Sequence, residues 1–246
     1  MMKTALSIVQ SVCRRINHPI PTTIVSLTDP DELQILELLY AVCEELRAAR
    51  CWTVLKRKHT FSTAAAQATY PLPKDFYSPL LATHWNTTED QRLLGPTSDN
   101  DFGGLIYGGE PSSYNFKYRI FGQTGNPATT TSGQIELSPT PSSVVACAFE
   151  YLTRTFILPN TYTFPATPQE TVTADTDLVI FDDDLVKLGL RAKLMEDRGG
   201  EYEKAEEEYL SRIDRAVTRY HGSHVGNFGA VSSSPRYRVQ RGSWSL

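Results

Sequence analysis

The stretch FDDDLVKLGLRAKLMEDRGGEYEKAEEEYLSRIDRAVTRY, residues 181–220, decides the fold. It holds two apolar stripes: Leu185, Leu188, Ala192 and Met195, then Tyr202, Ala205, Tyr209, Ile213, Ala216 and Tyr220. Steps of three and four residues place each stripe on one face of a helix. The Asp triplet at 182–184 can cap the first helix, and Gly199 and Gly200 break the run. The stretch therefore predicts two helices, each with one face to bury.

The first fifty residues predict a second pair of helices. The first carries a stripe of Ala5, Val9, Val12, Cys13 and Ile16, and the prolines after His18 end it. The second starts at Asp29-Pro30, with Asp29 as cap, Pro30 at the first helical position and Glu32 able to reach back. Its stripe is Leu33, Leu36, Tyr40, Cys43 and Leu46. Neither pair can bury its stripes alone, so we expect one four-helix layer from residues 1–51 and 181–220.

Residues 52–180 are typical of strands instead. Candidate strands are Thr53–Phe61, Gln67–Leu72, Leu80–Trp85, Tyr114–Phe121, Gly133–Leu137 and the long Val144–Leu158. Clusters of Gly, Pro, Asn, Ser and Thr separate them. The pattern predicts an α+β fold in which an antiparallel β-sandwich or barrel, residues 52–180, is inserted into the helical layer. The segments Thr87–Pro111 and Pro159–Asp177 are long for plain connections and are candidate contact loops.

Net charge, the lengths of apolar runs and cysteine spacing argue against several classes of protein. The net charge of −4 argues against a dedicated nucleic-acid binder. No apolar run approaches the ~18 residues of a membrane span, and residues 1–17 lack the features of a signal peptide. Cys13, Cys43, Cys51 and Cys147 form no C-x-x-C pair, so we expect reduced and mostly buried thiols.

Residues 221–246 differ from the rest of the chain. They contain arginines and aromatic residues but no Asp or Glu. Such a segment either stays loose or serves as an extended arm that orders on a partner, with inserted aromatic and arginine side chains supplying the affinity. The candidate binding residues of this arm are Phe228, Arg236, Tyr237, Arg238, Arg241 and Trp244.

The sequence contains no group of residues whose types and spacing indicate a catalytic or metal site. Adjacent side chains in the 182–184 triplet cannot all converge on a cation, so helix capping is the better interpretation. His221 and His224 lack a third ligand. Glu150, in an apolar strand, fits a paired or strand-edge role better than that of an acid with a raised pKa. Neither a nucleophile elbow nor a phosphate loop is present. We therefore predict no catalytic residue, no metal and no cofactor.

Three segments together resemble a known family. They are Arg50-Cys51-Trp52 with Phe61 and the run Tyr70-Pro71-Leu72-Pro73-Lys74-Asp75-Phe76; the run from Gly133 to Pro141 followed by Phe149-Glu150-Tyr151; and the helix from Asp183 to Met195. In this order and spacing, residues 1–220 resemble the head-to-tail adaptor (connector) proteins of short-tailed bacteriophages, of the tail tubular protein A type.

The resemblance implies a structural protein of the virion neck that is not an enzyme and is assembled in the host cytoplasm. It implies a ring, expected to hold twelve copies, that docks on the portal protein through C-terminal arms. The ring would extend the DNA channel without binding DNA specifically and would carry the tail nozzle. A negative net charge suits such a conduit, because a strongly basic lumen would bind the phosphates of the DNA backbone. A ring needs heterologous contacts between subunits.

Two other hypotheses stay open on the sequence. The first is a carboxylate-dependent cell-wall hydrolase, which would need two acids across a cleft, with Glu150 and either Asp182 or Asp183 as the pair. The second is another virion part, such as a tail-tube or head-completion protein of different symmetry. A cleft between those carboxylates would favour the first, and a subunit count in an isolated particle would separate the second.

Overall fold

The computed structural model describes residues 3–25, 27, 29–49, 52–107, 115–122, 133–160, 169–199 and 202–220, with side chains of the last segment to 216. Its helices are α1 (Ala5–Arg15), α2 (Pro30–Ala49), α3 (Asp99–Tyr107), α4 (Asp183–Asp197) and α5 (Glu203–Tyr220). Its strands are β1 (Lys56–Ser62), β2 (Thr69–Pro71), β3 (Phe76–Pro79), β4 (Trp85–Asn86), β5 (Gln91–Arg92), β6 (Lys117–Phe121), β7 (Gln134–Ser138), β8 (Ala146–Thr153), β9 (Ile157–Leu158) and β10 (Leu178–Val179). The α+β class is confirmed.

The helices begin where capping side chains stand. Asp182 Oδ1 accepts a hydrogen bond from the Asp184 backbone N–H at 2.9 Å, and Asp29 Oδ1 accepts one from Asp31 N–H at 3.0 Å. Both N-terminal predictions are thereby confirmed. Thr4 caps α1 in the same way through Ser7 N–H. Each cap satisfies a backbone donor that the helix itself cannot, which is why local sequence sets these boundaries.

Both chain ends contribute to one hydrophobic cluster. Helix α4 packs against α1, α2 and α5. The fully buried side chains of this cluster include Ile8, Leu39, Leu46, Leu185 and Leu190. Residues from the middle of the chain join it as well, among them Phe156, Ile157, Val179 and Phe181. The four-helix layer and the division into domains 1–51 with 181–220, 52–180 and 221–246 stay predictions.

Gly189 allows α4 to approach two neighbouring helices closely. A Cβ at this position would lie 2.7 Å from Val42 Cγ1 on α2 and 2.9 Å from Tyr209 Cε2 and Cζ on α5. Distances this short are repulsive, so a larger side chain would have to push the helices apart. Close packing against α2 and α5 therefore accounts for a glycine in the middle of α4.

The described strands form three antiparallel sheets, and β8 pairs with three strands of the largest one. One sheet has the order β1-β8-β4-β5, with β3 also paired to β8, and a second has the order β2-β7-β6. Strands β9 and β10 pair separately, beside the helical cluster. The first two sheets share a second hydrophobic cluster, to which Tyr118 and Ile135 come from one sheet and Cys147 and Phe149 from the other. The choice between sandwich and barrel stays a prediction.

Several strand predictions were wrong in detail. The predicted strand Leu80–Trp85 is mostly a turn, in which Ala82 has a φ of +64°, and only Trp85–Asn86 is extended. The long strand Val144–Leu158 breaks after Thr153, because Thr153 Oγ1 accepts a hydrogen bond from Thr155 N–H at 3.2 Å. Residues 53–55 form a 3₁₀ turn before β1.

Helix α3 lies inside the predicted loop Thr87–Pro111. Ser98 Oγ accepts from Asp101 N–H at its start, and Phe102 is fully buried beneath the Arg119 guanidinium, 4.7 Å from the ring centroid. Gly103 and Gly104 weaken the helical pattern, which is why this helix was not predicted from the sequence. The cysteine prediction is confirmed where it can be tested: Cys13, Cys43 and Cys147 are buried free thiols, and Cys51 lies outside the described residues.

Candidate interaction surfaces

Two of the three segments that carry the family resemblance meet in the structure. Strand β2 pairs with β7, so that Tyr70 lies opposite Ile135. The Asp75 carboxylate accepts hydrogen bonds from Tyr151 Oη and Thr153 Oγ1, both at 2.8 Å. Phe76 stacks on Tyr151 with ring centroids 5.7 Å apart. Tyr70 is thus paired within one sheet, while Asp75 and Phe76 hold β3 against β8 in the other, and their role is structural.

Asp75 should be the polar residue on which this junction depends. Tyr151 and Thr153 are 5% and 0% exposed, so an Asp75→Ala change leaves the buried Tyr151 hydroxyl without its acceptor and restricts Thr153 Oγ1 to its contacts with Thr155. We expect the free energy of unfolding to fall by about 2–4 kcal/mol. Urea denaturation measures this, with Lys74→Ala as control; its side chain is exposed, and it should change stability by less than about 0.5 kcal/mol. Equal effects of the two changes would contradict the assignment.

His84 lies between two aromatic rings in the sheet cluster. Its ring is stacked 4.2 Å from the Tyr118 centroid and 4.8 Å from that of Phe149. Its Nδ1 lies 3.0 Å from Tyr118 Oη, and its Nε2 has no hydrogen-bond partner among the described residues. Burial lowers the pKa of His84 to about 4. The imidazole is thus a neutral core group, and nothing around it suggests catalysis.

The buried His84 should make stability depend on pH. The unfolded chain binds the proton more readily, so stability is fully present above pH 6.5 and is lost as the pH falls towards about 4. The loss should reach about 3 kcal/mol. His84→Phe keeps an aromatic ring but removes the titration, so its unfolding free energy should fall less over that pH range. Parallel pH profiles for the two proteins would contradict this prediction.

The carboxylates of the hydrolase hypothesis occupy structural positions. Glu150 is exposed on β8, and its Cα is paired across the strands with that of Lys58. Asp182 caps α4, while Asp183 Oδ1 accepts from the Lys3 backbone N–H at 3.0 Å. Glu150 thus lies on the surface of a sheet, and the two aspartates lie at the start of α4. This geometry does not support the hydrolase hypothesis.

Metal-ligating residues are scattered over the described part of the chain. Within those residues no three His, Cys, Asp or Glu side chains are grouped to hold a metal ion. His221 and His224 lie outside them. Likewise, no helix among the described ranges has both the length and the apolar character of a membrane span.

Two grooves flank the hairpin of α4 and α5. The first, which we call the acidic flank, lies beside α2 and includes Glu45, Lys193, Glu196, Glu206 and Leu210. The second, the basic flank, lies beside the end of α1 and includes Arg15, Lys187, Lys204, Arg212 and Arg215. The two flanks therefore offer surfaces of different charge on one helical hairpin.

The Pro159–Asp177 loop is tied down at its end. Asp177 is 2% exposed, and its Oδ2 accepts from Thr173 N–H at 2.7 Å and Ala174 N–H at 2.9 Å. Its backbone carbonyl accepts from Ala5 N–H at 2.8 Å, which joins the loop to the start of α1. This end of the loop is structural; residues 161–168 lie outside the described part.

The predicted arm also lies outside the described residues. Its candidate binding residues, Phe228, Arg236, Tyr237, Arg238, Arg241 and Trp244, keep the status of sequence predictions. The described side chains pack in the core, cap helices or form charged surfaces. These roles suit a protein that functions by binding other proteins.

Comparison with known families agrees with this interpretation. The sequence model of the SU10 adaptor protein family matches residues 3–235. The chain belongs to this family. The match spans both hydrophobic clusters and is consistent with a phage head-to-tail adaptor, as the resemblance implied. A search of curated proteins found no match.

Membership identifies the chain as a structural phage adaptor. The family match includes Phe228 but ends before Arg236, so the other candidate arm residues of this SU10 adaptor protein lie beyond it. Within the motifs at 70–76 and 133–141, the buried side chains include Tyr70, Leu72, Phe76, Ile135 and Leu137, which belong to the sheet cluster.

Proposed function

We propose that this adaptor forms a ring of twelve copies that docks on the portal protein at the virion neck. The ring extends the DNA channel and provides the platform on which the tail nozzle assembles. The family match over residues 3–235 carries the proposal. The protein acts without catalysis, is assembled in the host cytoplasm and needs no membrane.

The proposed contact with the portal is the arm at 221–246. Its arginines and aromatics, without a single acidic residue, suit insertion between acidic and apolar surfaces of a partner. An arm that orders on its partner loses conformational entropy on docking, and its contacts with the portal must offset that loss.

The proposed channel function fits the overall charge. The chain carries 28 acidic and 24 basic residues. DNA that slides through a conduit must not be held by many phosphate contacts, because each contact releases counterions and adds affinity. A lumen without a strongly basic surface lets DNA pass without specific binding.

Imaging of the adaptor bound to isolated portal rings tests the function. We expect a ring of adaptor subunits with the portal's symmetry, with the segment 222–246 traced on the portal and the tail nozzle protein binding only once this ring is complete. Failure of the adaptor to bind the portal, or a different copy number, would reject the proposal in its present form.

A further inference from the structure

The acidic flank combines a charged rim with an apolar floor. Three glutamates and one lysine line it, a balance of −2. Lys193 Nζ lies 2.6 Å from Glu45 Oε1, whereas Glu196 and Glu206 are exposed. Leu210 is 53% exposed at the same groove, so an apolar side chain lies beside the charged rim.

The floor of the acidic flank holds an unsatisfied polar group. Tyr209 is 5% exposed, and its hydroxyl has no hydrogen-bond partner among the described residues. Burial, with Glu45 as the next cause, raises the pKa of Tyr209, so the phenol stays neutral beside these carboxylates. A buried hydroxyl without a partner is costly and is a feature that a bound neighbour can relieve.

The basic flank has the opposite balance. Five cationic and three anionic side chains line it, a balance of +2. Asp184 lies 3.5 Å from Lys187 Nζ and 3.8 Å from an Arg212 amino group, so one acid holds the two inner cations. Lys204 and Arg215 are exposed. The outer cations of this flank therefore face solvent.

The flanks lie on opposite sides of α5. Glu206, Leu210 and Ile213 line the acidic flank, and residues 208, 212 and 215 line the basic one. Each member of the second set follows a member of the first by two positions, which is about 200° around a helix. A single helix therefore separates surfaces of opposite charge.

We infer that the acidic flank of one copy binds the basic flank of the next copy, and that this contact closes the ring. The inference rests on the proposed ring and adds the surfaces that would form it. Opposite charges favour this head-to-tail pairing, whereas a twofold pairing would set each flank against its like. Because the two flanks lie on nearly opposite sides of α5, each subunit would be rotated by only a small angle relative to the next, which suits a ring of many copies.

Charge reversal tests the contact in solution. One variant carries Glu196→Lys and Glu206→Lys, so both of its flanks are basic. The other carries Lys204→Glu and Arg215→Glu, so both of its flanks are acidic. We expect each alone to self-associate at least about tenfold more weakly than wild type. An equimolar mixture should associate, because basic and acidic flanks then alternate around the ring.

Sedimentation of concentrated full-length protein measures the association. The control exchanges an exposed cross-strand pair, Lys58→Glu with Glu150→Lys, on the sheet far along the chain from α5, and should behave like wild type. Variants that associate like wild type, a mixture that associates no better than its components, or a control that also fails would each overturn the inference. Binding of the wild-type protein to the portal is measured separately. If wild type binds the portal but the charge-reversal results are negative, the inference about the flanks fails while the proposed function stands.

Discussion

Removal of residues 222–246 should leave a folded protein that no longer binds the portal. Both hydrophobic clusters, as far as the described residues define them, are built from side chains that precede this segment, and the shortened chain keeps those contacts. Interfaces depend on a few aromatic and arginine anchors, and this segment supplies three arginines and three aromatics. We expect affinity for isolated portal to fall at least about 100-fold, since several anchors are lost together.

Two measurements are needed for the truncation. Circular dichroism and urea denaturation should give the same unfolding curve as the full chain, which shows that loss of binding is not loss of fold. Undiminished portal binding by the shortened protein would reject the role of the arm. Replacement of Arg236, Arg238 and Arg241 by Ala should weaken binding most at low salt, because exposed ion pairs are screened by salt. Replacement of Ser232, Ser233 and Ser234 by Ala serves as the matched control.

A Gly189→Val change should strongly destabilise the packing of α4 in the helical cluster. Its first side-chain carbon would already lie 2.7 Å from Val42 Cγ1, and two further methyl groups must also be accommodated. The helix gains about 0.5 kcal/mol from the better propensity of valine. Overpacking on two sides costs more than this gain, so we expect a net loss of about 3 kcal/mol in the free energy of unfolding.

Helix α3 offers a matched control for Gly189. A Cβ at Gly104 meets no atom within 4 Å, although the residue is also a glycine inside a helix. Gly104→Ala should therefore stabilise the protein by about 0.5–1 kcal/mol. Urea denaturation of both variants measures the two effects. Stabilisation by Gly189→Val would show that α4 can move away from α2 and α5 without cost.

In the acidic and basic flanks, some lining residues can be assigned from the local sequence pattern, whereas others are brought there only by tertiary contacts. The sequence places Glu206 and Lys204 on α5, and helical periodicity alone sets them on different sides. The neighbours of each side, Glu45 of α2 and Arg15 of α1, come from the far end of the chain. No pattern in residues 181–220 indicates which helix lies on which side.

Helices and their caps were predictable from sequence, because their determinants lie within four residues of each other. Asp29 and Asp182 bond to backbone groups two positions on, so their roles follow from spacing. The family motifs were recognisable for the same reason: each is a short run. Helix α3 was missed because its glycines remove the local signal, and its one buried anchor, Phe102, depends on Arg119 of β6.

The remaining features depend on residues that are distant in the chain. Asp75 meets Tyr151 across 76 positions, and His84 meets Tyr118 across 34. Such pairs form only when the strands are in register, and no local periodicity encodes which strand pairs with which. The need for glycine at 189 likewise arises from Val42 and Tyr209, which the folded chain brings against it. Local hydrogen bonding and periodicity therefore determine the helices of this adaptor, while long-range packing determines its sheets, its buried polar contacts and the surfaces it presents.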